Sequence, residues 1–525
     1  MKLNRQDYRD KVLGCWMGKN IGGTLGAPFE WQRQINNVTY YAQKLSGEPL
    51  PNDDLDIQLL WLVALEEQGI EIDAHVLSEY WCLFVTPHWC EYGTAKANMR
   101  SGLLPPLTGT LNNVYKHSCG AFIRSEIWAC IAPGCPQIAA KYAYEDSILD
   151  HGDGEGTYAE IFCAALESAA FVVSDLRKLV KIGLSYIPEY CGVRGAVECV
   201  IDAYDTGKTW EQARELILEN FRGSSAMGDP INTSAADRKK DFHKGNLGYD
   251  VPSNIAIVVL GLLYGEGDFG KTICTTVNCG EDADCTCATV GAIFGIMHGI
   301  KSISPKWIKP IGHSIKTACL NLGELGFYGN QLPSTVDDLT DRTERIMMQV
   351  LLRNSKCGMR ISYDEITDLS DLNEDALVAS KANTAFYTSM NGPVFKFPFF
   401  RVEVDYGDSP IIRDNEPKRI QLTICNTYKV QANLSIHWYL SDGWEVLPAR
   451  EGSIMSFPQH LGDTTSVEFI LQAEHVQQVM NRCVLQLTIE GRPTVMLIPI
   501  TLRNGNIIAN GKCDIKKLKV VSQNV

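Results

Sequence analysis

Pro51-Asn52-Asp53-Asp54-Leu55-Asp56-Ile57-Gln58-Leu59-Leu60-Trp61-Leu62-Val63-Ala64-Leu65-Glu66-Glu67 sets three carboxylates and an amide directly before an apolar repeat. Ile57, Leu60, Trp61, Ala64 and Leu65 recur at the i, i+3, i+4 spacing that gives a helix one buried face. Asn52, Asp53, Asp54 and Asp56 therefore fall at or just before the first turn, where their oxygens converge. Taken alone, the pattern is equally that of an N-cap with acids complementing the helix dipole.

A second acidic helix start shifts the balance. Asn278-Cys279-Gly280-Glu281-Asp282-Ala283-Asp284-Cys285-Thr286 is a polar, glycine-containing turn that runs into a helix with Val290, Ile293, Phe294 and Met297 on one face. Two such starts can build an oxygen cage for a hard divalent cation, since Mg²⁺ takes a few carboxylates and retains water. Zinc is disfavoured: no C-x-x-C pair accompanies Cys279, Cys285 and Cys287, and no histidine sits at ligand spacing.

The glycines predict a close crossing between the opening helix and the helix that begins at the second acidic turn. In Gly14–Glu30, G-C-W-M-G-K-N-I-G-G-T-L-G-A-P-F-E, Gly14, Gly18, Gly22 and Gly26 recur every four positions. Each costs a helix roughly 1 kcal/mol against Ala, so the stripe makes sense where another backbone packs at short range. Cys287, Gly291, Gly295 and Gly299 have the same spacing and predict the partner. Glu30 follows the helix-ending Pro28, on a loop leading toward Asn52, and the irregular segment from Trp31 to Leu50 is read as a lid over the acids.

At 525 residues the chain predicts more than one domain. Hydrophobic content of 45% and charged content of 21% are those of a globular protein, and no apolar run reaches the ~18 residues of a membrane span. The N-terminus has no apolar signal-like stretch, so a cytoplasmic location is expected, with the 18 cysteines as free thiols. A formal charge of −14 disfavours nucleic acid and suits an acidic, cation-concentrating cleft or plain solubility.

Elsewhere the aromatics Tyr80, Trp81, Phe84, Trp89 and Tyr92 read as core. Ser118-Cys119-Gly120-Ala121-Phe122-Ile123-Arg124 is a small-residue turn, Ser147–Gly156 is a glycine-rich loop carrying His151, and Gly248-Tyr249 breaks the helical pattern. The segment Gly228–Gly245 reads as surface loop. After about Ala385 alternation replaces the helical period, in Phe400–Val404, Ile420–Ile424, Leu434–Leu440, Val467–Leu471, Val484–Ile489 and Val495–Ile500. The expected organisation is an all-α domain over residues 1–385, a linker at 386–398, an all-β sandwich of immunoglobulin or fibronectin type at 399–505, and a polar tail at 506–525.

From Gly14 to Gly299 the chain resembles the ADP-ribosylglycohydrolase family. The resemblance rests on the glycine-rich helix ending in Ala27-Pro28-Phe29-Glu30, on Asn52-Asp53-Asp54-Leu55 and on Gly280-Glu281-Asp282-Ala283-Asp284-Cys285. Cys119-Gly120-Ala121 with Arg124, His151 before a helix, and Gly248-Tyr249 add to it. It implies an all-α catalytic domain around two Mg²⁺ ions, with Mn²⁺ the alternative, and leaves the sandwich outside. By position it implies Asn52, Asp53, Asp54, Asp282 and Asp284 as metal ligands, with Asp284 bridging. Glu30 would be the acid or base, Asp54 or Asp284 would accept a proton, and Gly120, Ala121, His151 and Tyr249 would hold the substrate.

Two departures stand out: Asn52 and Cys285 replace the usual Thr or Ser, and Gly23 replaces the usual Asp. A thiol is a poor ligand for so hard an ion. The implied activity is glycosidic cleavage at C1 of a ribose-like sugar by a metal-bound water. The expected partner is an ADP-ribosylated substrate or small-molecule glycoside, with neither nucleic acid nor membrane. The alternatives are a hydrolase of the same fold acting on a nucleoside or other carbohydrate, and a non-catalytic binding protein.

Overall fold

The structure, a computed structural model, describes residues 1–222, 248–321, 332–389, 391–428, 430–458, 462, 464–492 and 494–506. The segment Gly228–Gly245 and nearly all of the polar tail lie outside these residues. Met1–Arg100 with Leu104–Met390 forms one compact unit, and Ser101–Leu103 with the residues from Asn391 onward forms another.

The first unit is helical. The helices that build its centre are α1 (Arg5–Gly26), α2 (Asp53–Gln68), α3 (Cys90–Arg100), α4 (Glu126–Cys130), α5 (Pro136–Ser147), α6 (Glu155–Ala169), α7 (Val251–Tyr264) and α8 (Ala283–His298). Asn4 caps α1 by accepting from the Gln6 N–H (2.7 Å), and Asn52 caps α2 by accepting from the Asp54 N–H (2.8 Å). Gly69 (φ 84°) and Gly299 (φ 77°) end α2 and α8 with backbone that a side chain would strain.

α1 and α8 cross antiparallel at backbone contact. Gly14 faces Gly295, Gly18 faces Gly291, Gly22 faces Cys287 and Gly26 faces Ala283; a β-carbon at any of these four α1 glycines would collide with α8 main chain. The partner stripe thus begins at Ala283. Gly299 closes it as the C-cap: a β-carbon on Gly14 would lie 2.9 Å from the Gly299 carbonyl carbon, while the Asp10 carboxylate fills the side-chain space of Gly299 itself.

The single apolar face expected for α2 is an underestimate. Leu59, Leu62 and Val63 are buried along with Ile57, Leu60 and Trp61, because α2 runs through the middle of the domain. A buried polar network replaces a wet face. Lys19 of α1 donates to Glu126 (2.6 Å) and to Thr289 of α8 (3.2 Å), and Gln58 of α2 donates to the other Glu126 oxygen (2.8 Å). Arg124 joins Asp146 (2.9 Å) to Asp150 (2.7 Å), and the Trp61 and Trp128 indoles donate to Asp146. Each charge is thereby partnered, as burial requires.

The second unit holds two five-stranded, mainly antiparallel sheets. Its strands are β3 (Val394–Lys396), β4 (Phe400–Asp405), β5 (Ile411–Ile412), β6 (Lys418–Asn426), β7 (Ala432–Tyr439), β8 (Trp444–Leu447), β9 (Glu451–Ser456), β10 (Thr464–Ala473), β11 (Met480–Ile489) and β12 (Val495–Asn504). β1 (Lys2–Asn4) and β2 (Arg360–Ser362) form a small parallel pair in the first unit. The sheet orders are β3-β4-β6-β10-β8 and β5-β12-β11-β7-β9. Alternate residues such as Val402, Val404, Leu422, Leu485 and Ile498 are buried, and Trp438 of one sheet packs on Phe469 of the other, 5.1 Å between ring centres.

Candidate active site

The antiparallel crossing brings the end of α1 to the start of α8. There the chain takes left-handed conformations at Trp31 (φ 59°) and Glu281 (φ 65°), where the Trp31 N–H donates to the Glu281 carbonyl (2.8 Å) and the Glu281 N–H to Gln32 (3.3 Å). Arg222 holds the buried Glu281 carboxylate (3.2 Å). This two-way link sets Glu30 beside Asp282 and Asp284, with one oxygen from each carboxylate within 4.8 Å of the others. Asp54, from the start of α2, forms a second group of the same tightness with Asp284 and Cys285. Asp284 belongs to both groups.

These acids are short of partners. Asp54 is fully buried and neither of its oxygens is hydrogen-bonded; Oδ1 of Asp282 and Oδ1 of Asp284 are likewise buried and unbonded. Burial, then the neighbouring Asp54, pushes the Asp284 carboxyl well up, and burial, then Glu30, does the same to Asp282. Burial and the adjacent Asp54 raise Asp53 to about 7; burial, Asp53 and Asp54 raise Glu30 to about 7, although that residue stands exposed at the rim. Lys19, whose ammonium bonds Glu126, offsets part of this at Asp53 and Asp54 but does not outweigh burial. Convergent, orphaned carboxylate oxygens are what a hard divalent cation requires, so the donor set fits one. Cys285, the poorest ligand of the set, is the exception.

The acids flank a cavity of about 330 Å³ lined by Glu30, Asp53, Asp282, Asp284 and Cys285, by the aromatics Trp31, Trp89, Tyr92 and Tyr249, and by Glu91 and the Ser118–Gly120 turn. Asp54 lies behind Asp53. Asn52 is an N-cap, and its amide nitrogen fills the space that a side chain at residue 23 would occupy. Gly23 and Asn52 are therefore a matched pair. Asp56 does not join the cluster: two residues along a helix from Asp54 it faces the opposite way, accepting from the Ala318 and Cys319 N–H groups (2.6 Å each).

On the substrate side, Gly120 and Tyr249 line the cavity. The Gly120 carbonyl accepts from Arg124 (2.6 Å), which fixes that wall, and the Tyr249 ring lies 6.0 Å from Trp31. Ala121 and His151 are not brought to the cavity surface. Both are fully buried, and the His151 ring is held between Asp150 (2.9 Å from Nδ1) and Ser118 (3.1 Å from Nε2). The loop carrying His151 is interior because the Arg124 pair with Asp150 draws it inward. Trp89, read as core, is instead 56% exposed at the cavity. Sequence reasoning also missed Glu91, whose signal was an acid in the first turn of a helix, and Trp31, whose backbone strain no pattern announces.

Residues 4–346 match the family model described as ADP-ribosylglycohydrolase. No curated protein matches the chain. Among solved structures, an ADP-ribosylglycohydrolase-related protein complex is similar at 17% identity, covering 65% of this chain and all of that one, with a TM-score of 0.43. A FixG-related protein from Vibrio parahaemolyticus is similar at 8% identity over 21% of this chain and 99% of its own, with a TM-score of 0.18. Among the described residues no helix is long and apolar enough to cross a membrane.

Proposed function

The chain belongs to the ADP-ribosylglycohydrolase family, and on that premise we propose that it is a metal-dependent hydrolase of a glycosidic bond at C1 of a ribose-like sugar. The observation that carries this reading is the convergence of Asp54, Asp282 and Asp284 with Glu30 at the meeting point of three helix ends. Asp53, Asp54, Asp282 and Asp284 would hold the cation, Mg²⁺ or Mn²⁺; Asn52, spent on capping, is the weakest of the expected ligands. The bound cation supplies Lewis acidity toward sugar hydroxyls and orients the ring.

The side chains do the rest. Glu30 stands at the rim, where a carboxyl raised toward neutrality can give a proton to the leaving atom or take one from water. As the bond from C1 to the leaving atom breaks, a new one forms from C1 to a water oxygen, and the water's proton passes to a carboxylate of the cluster. Asp284, common to both groups, is the acceptor nearest the lining; Asp54, buried behind it, holds geometry. Gly120 supplies a flat wall and Tyr249 an aromatic one.

ADP-ribosylated substrates are the first expectation. A phosphate-free glycoside is the second reading, favoured by one feature: among the described residues no lysine, arginine or histidine lines the cavity. The test is release of free sugar by the full chain from an ADP-ribosylated protein, and separately from nucleosides and oligosaccharides, with Mg²⁺ and with a chelator. Turnover that the chelator abolishes supports the assignment. Absence of turnover on every substrate class with metal present would make this a binding protein.

A further inference from the structure

Cys285 is a thiol placed where a metal ligand belongs. It stands in the first turn of α8, next to Asp284, and lines the cavity. Its Sγ lies within 4.8 Å of one carboxylate oxygen each of Asp54 and Asp284, and those two oxygens are equally close to each other. All three residues are buried. Neither Asp54 oxygen is hydrogen-bonded, and Oδ1 of Asp284 is buried and unbonded as well. Unpaired carboxylates this close together are costly, and a cation shared between them removes the cost. Zinc bonds of about 2.3 Å to sulfur and about 2.1 Å to oxygen let donors lie up to roughly 4.4 Å apart across an ion, so the group closes on one with small movements.

Neighbouring thiols show the ordinary use of a buried cysteine. Cys279 donates to the Thr275 carbonyl (3.4 Å) and Cys287 to the Ile273 carbonyl (3.5 Å). Cys287 is two residues along α8 from Cys285 and so faces the opposite way, into the core. Cys285 is turned to the acids instead.

Sulfur in the set changes which ion fits. Mg²⁺ prefers oxygen and gains little from a thiolate, whereas Zn²⁺ and Co²⁺ take carboxylate and thiolate together. Two carboxylates and one thiolate make three protein ligands, the number a catalytic zinc site keeps while leaving a position for water or substrate. The other group, Glu30 with Asp282 and Asp284, is oxygen throughout. The two groups therefore differ in softness although they share Asp284. No spacing in the sequence announces the mixed group, because its donors come from two helix starts that only the fold brings together.

We propose that Cys285 is a metal ligand, and that the position it shares with Asp54 and Asp284 selects a thiophilic divalent ion such as Zn²⁺, leaving a hard ion to the oxygen donors on the Asp282 side. The thiol gives its proton to solvent as the sulfur–metal bond forms. The inference rests on the acid cluster being the metal site proposed above.

Co²⁺, a spectroscopic stand-in for Zn²⁺, is titrated into the metal-free full chain and followed by near-ultraviolet absorbance, with Mg²⁺ and Zn²⁺ binding measured by calorimetry. The parent should develop a thiolate-to-cobalt charge-transfer band that Zn²⁺ abolishes and a large excess of Mg²⁺ does not. Cys285→Ser, or Cys285→Ala should the serine variant not fold, should lose the band and narrow the preference for Zn²⁺ over Mg²⁺ by about tenfold or more. Cys119→Ser and Cys90→Ser, which remove cavity-lining thiols outside the group, should keep the band. A band that survives in the Cys285 variants, or is lost only in Cys119→Ser or Cys90→Ser, overturns the proposal. A parent that binds Mg²⁺ but shows no sulfur band with Co²⁺ overturns it while the metal site stands. A parent that binds none of these ions removes both.

Discussion

Gly18 and Gly291 meet so closely that a β-carbon on Gly18 would lie 2.5 Å from the Gly291 carbonyl carbon, and one on Gly291 would lie 2.9 Å from the carbonyl carbon of Gly18. α1, which leads into Glu30, and α8, which carries Asp284, are thereby registered by main chain against main chain. A backbone neighbour cannot rotate aside as a side chain can, so an added methyl must push the helices apart.

Gly18→Ala should therefore destabilise the helical unit by about 3 kcal/mol or prevent its folding, at the upper end of overpacking costs. Gly452→Ala, where nothing lies within 4 Å of the added methyl, is the control and should change stability little. Urea denaturation of both variants checks this. Equal midpoints for Gly18→Ala and the parent would mean that the crossing is looser than described.

The acid cluster makes metal-free stability depend on pH. Glu30 and Asp53 ordinarily titrate at 4.5 and 3.8, and in the fold at about 7. Between those values the folded chain binds more protons than the unfolded one. Stability then falls as pH rises through the window, and the loss is complete above about 7. A cation replaces those protons. The rise in Tm on adding Mg²⁺ should accordingly be larger near pH 8 than near pH 5. A rise that is the same at both, measured by scanning calorimetry with chelator as reference, would show that the cation binds away from these acids.

Much of this was legible in the sequence, for physical reasons. The two stripes of small residues four apart meant a close helix crossing, and an antiparallel crossing brings the end of α1, with Glu30 beyond it, to the acidic start of α8. Period-two alternation likewise announced the strands from Phe400 onward. The short β3, β5, β8 and β9 gave no such signal. Neither did the polar interior: Lys19, Glu126 and Arg124 look like ordinary helix or turn charges until packing places their partners, which come from residues distant in sequence. His151 was drawn to the substrate by its glycine-rich surroundings, whereas the buried Asp150 and Arg124 pair decides where it sits. Asp56 was counted with the cluster because a stretch of sequence does not display which face of the helix each acid takes.

Cys285 carries a separate prediction. It lies within 4.8 Å of Asp54 and Asp284 by its ligand atom, where a hydroxyl would suit a hard ion better. Cys285→Ser should tighten Mg²⁺ binding several-fold, and Mn²⁺ binding by less, because the softer ion tolerates sulfur better. Titration of both metals into both proteins checks it. Weaker Mg²⁺ binding in the variant would make the thiol a packing group whose removal disturbs the cluster.

The central claim is that the acids at these helix ends hold a cation while Glu30 moves a proton. Its most direct measurement is Mg²⁺ titration paired with turnover, for the parent, Glu30→Gln and Asp284→Asn. Glu30→Gln should keep Mg²⁺ affinity within a few-fold and lose turnover by about 10²-fold or more, whereas Asp284→Asn should lose metal and turnover together. Unchanged turnover in Glu30→Gln, or Mg²⁺ binding undiminished in Asp284→Asn, would contradict the account.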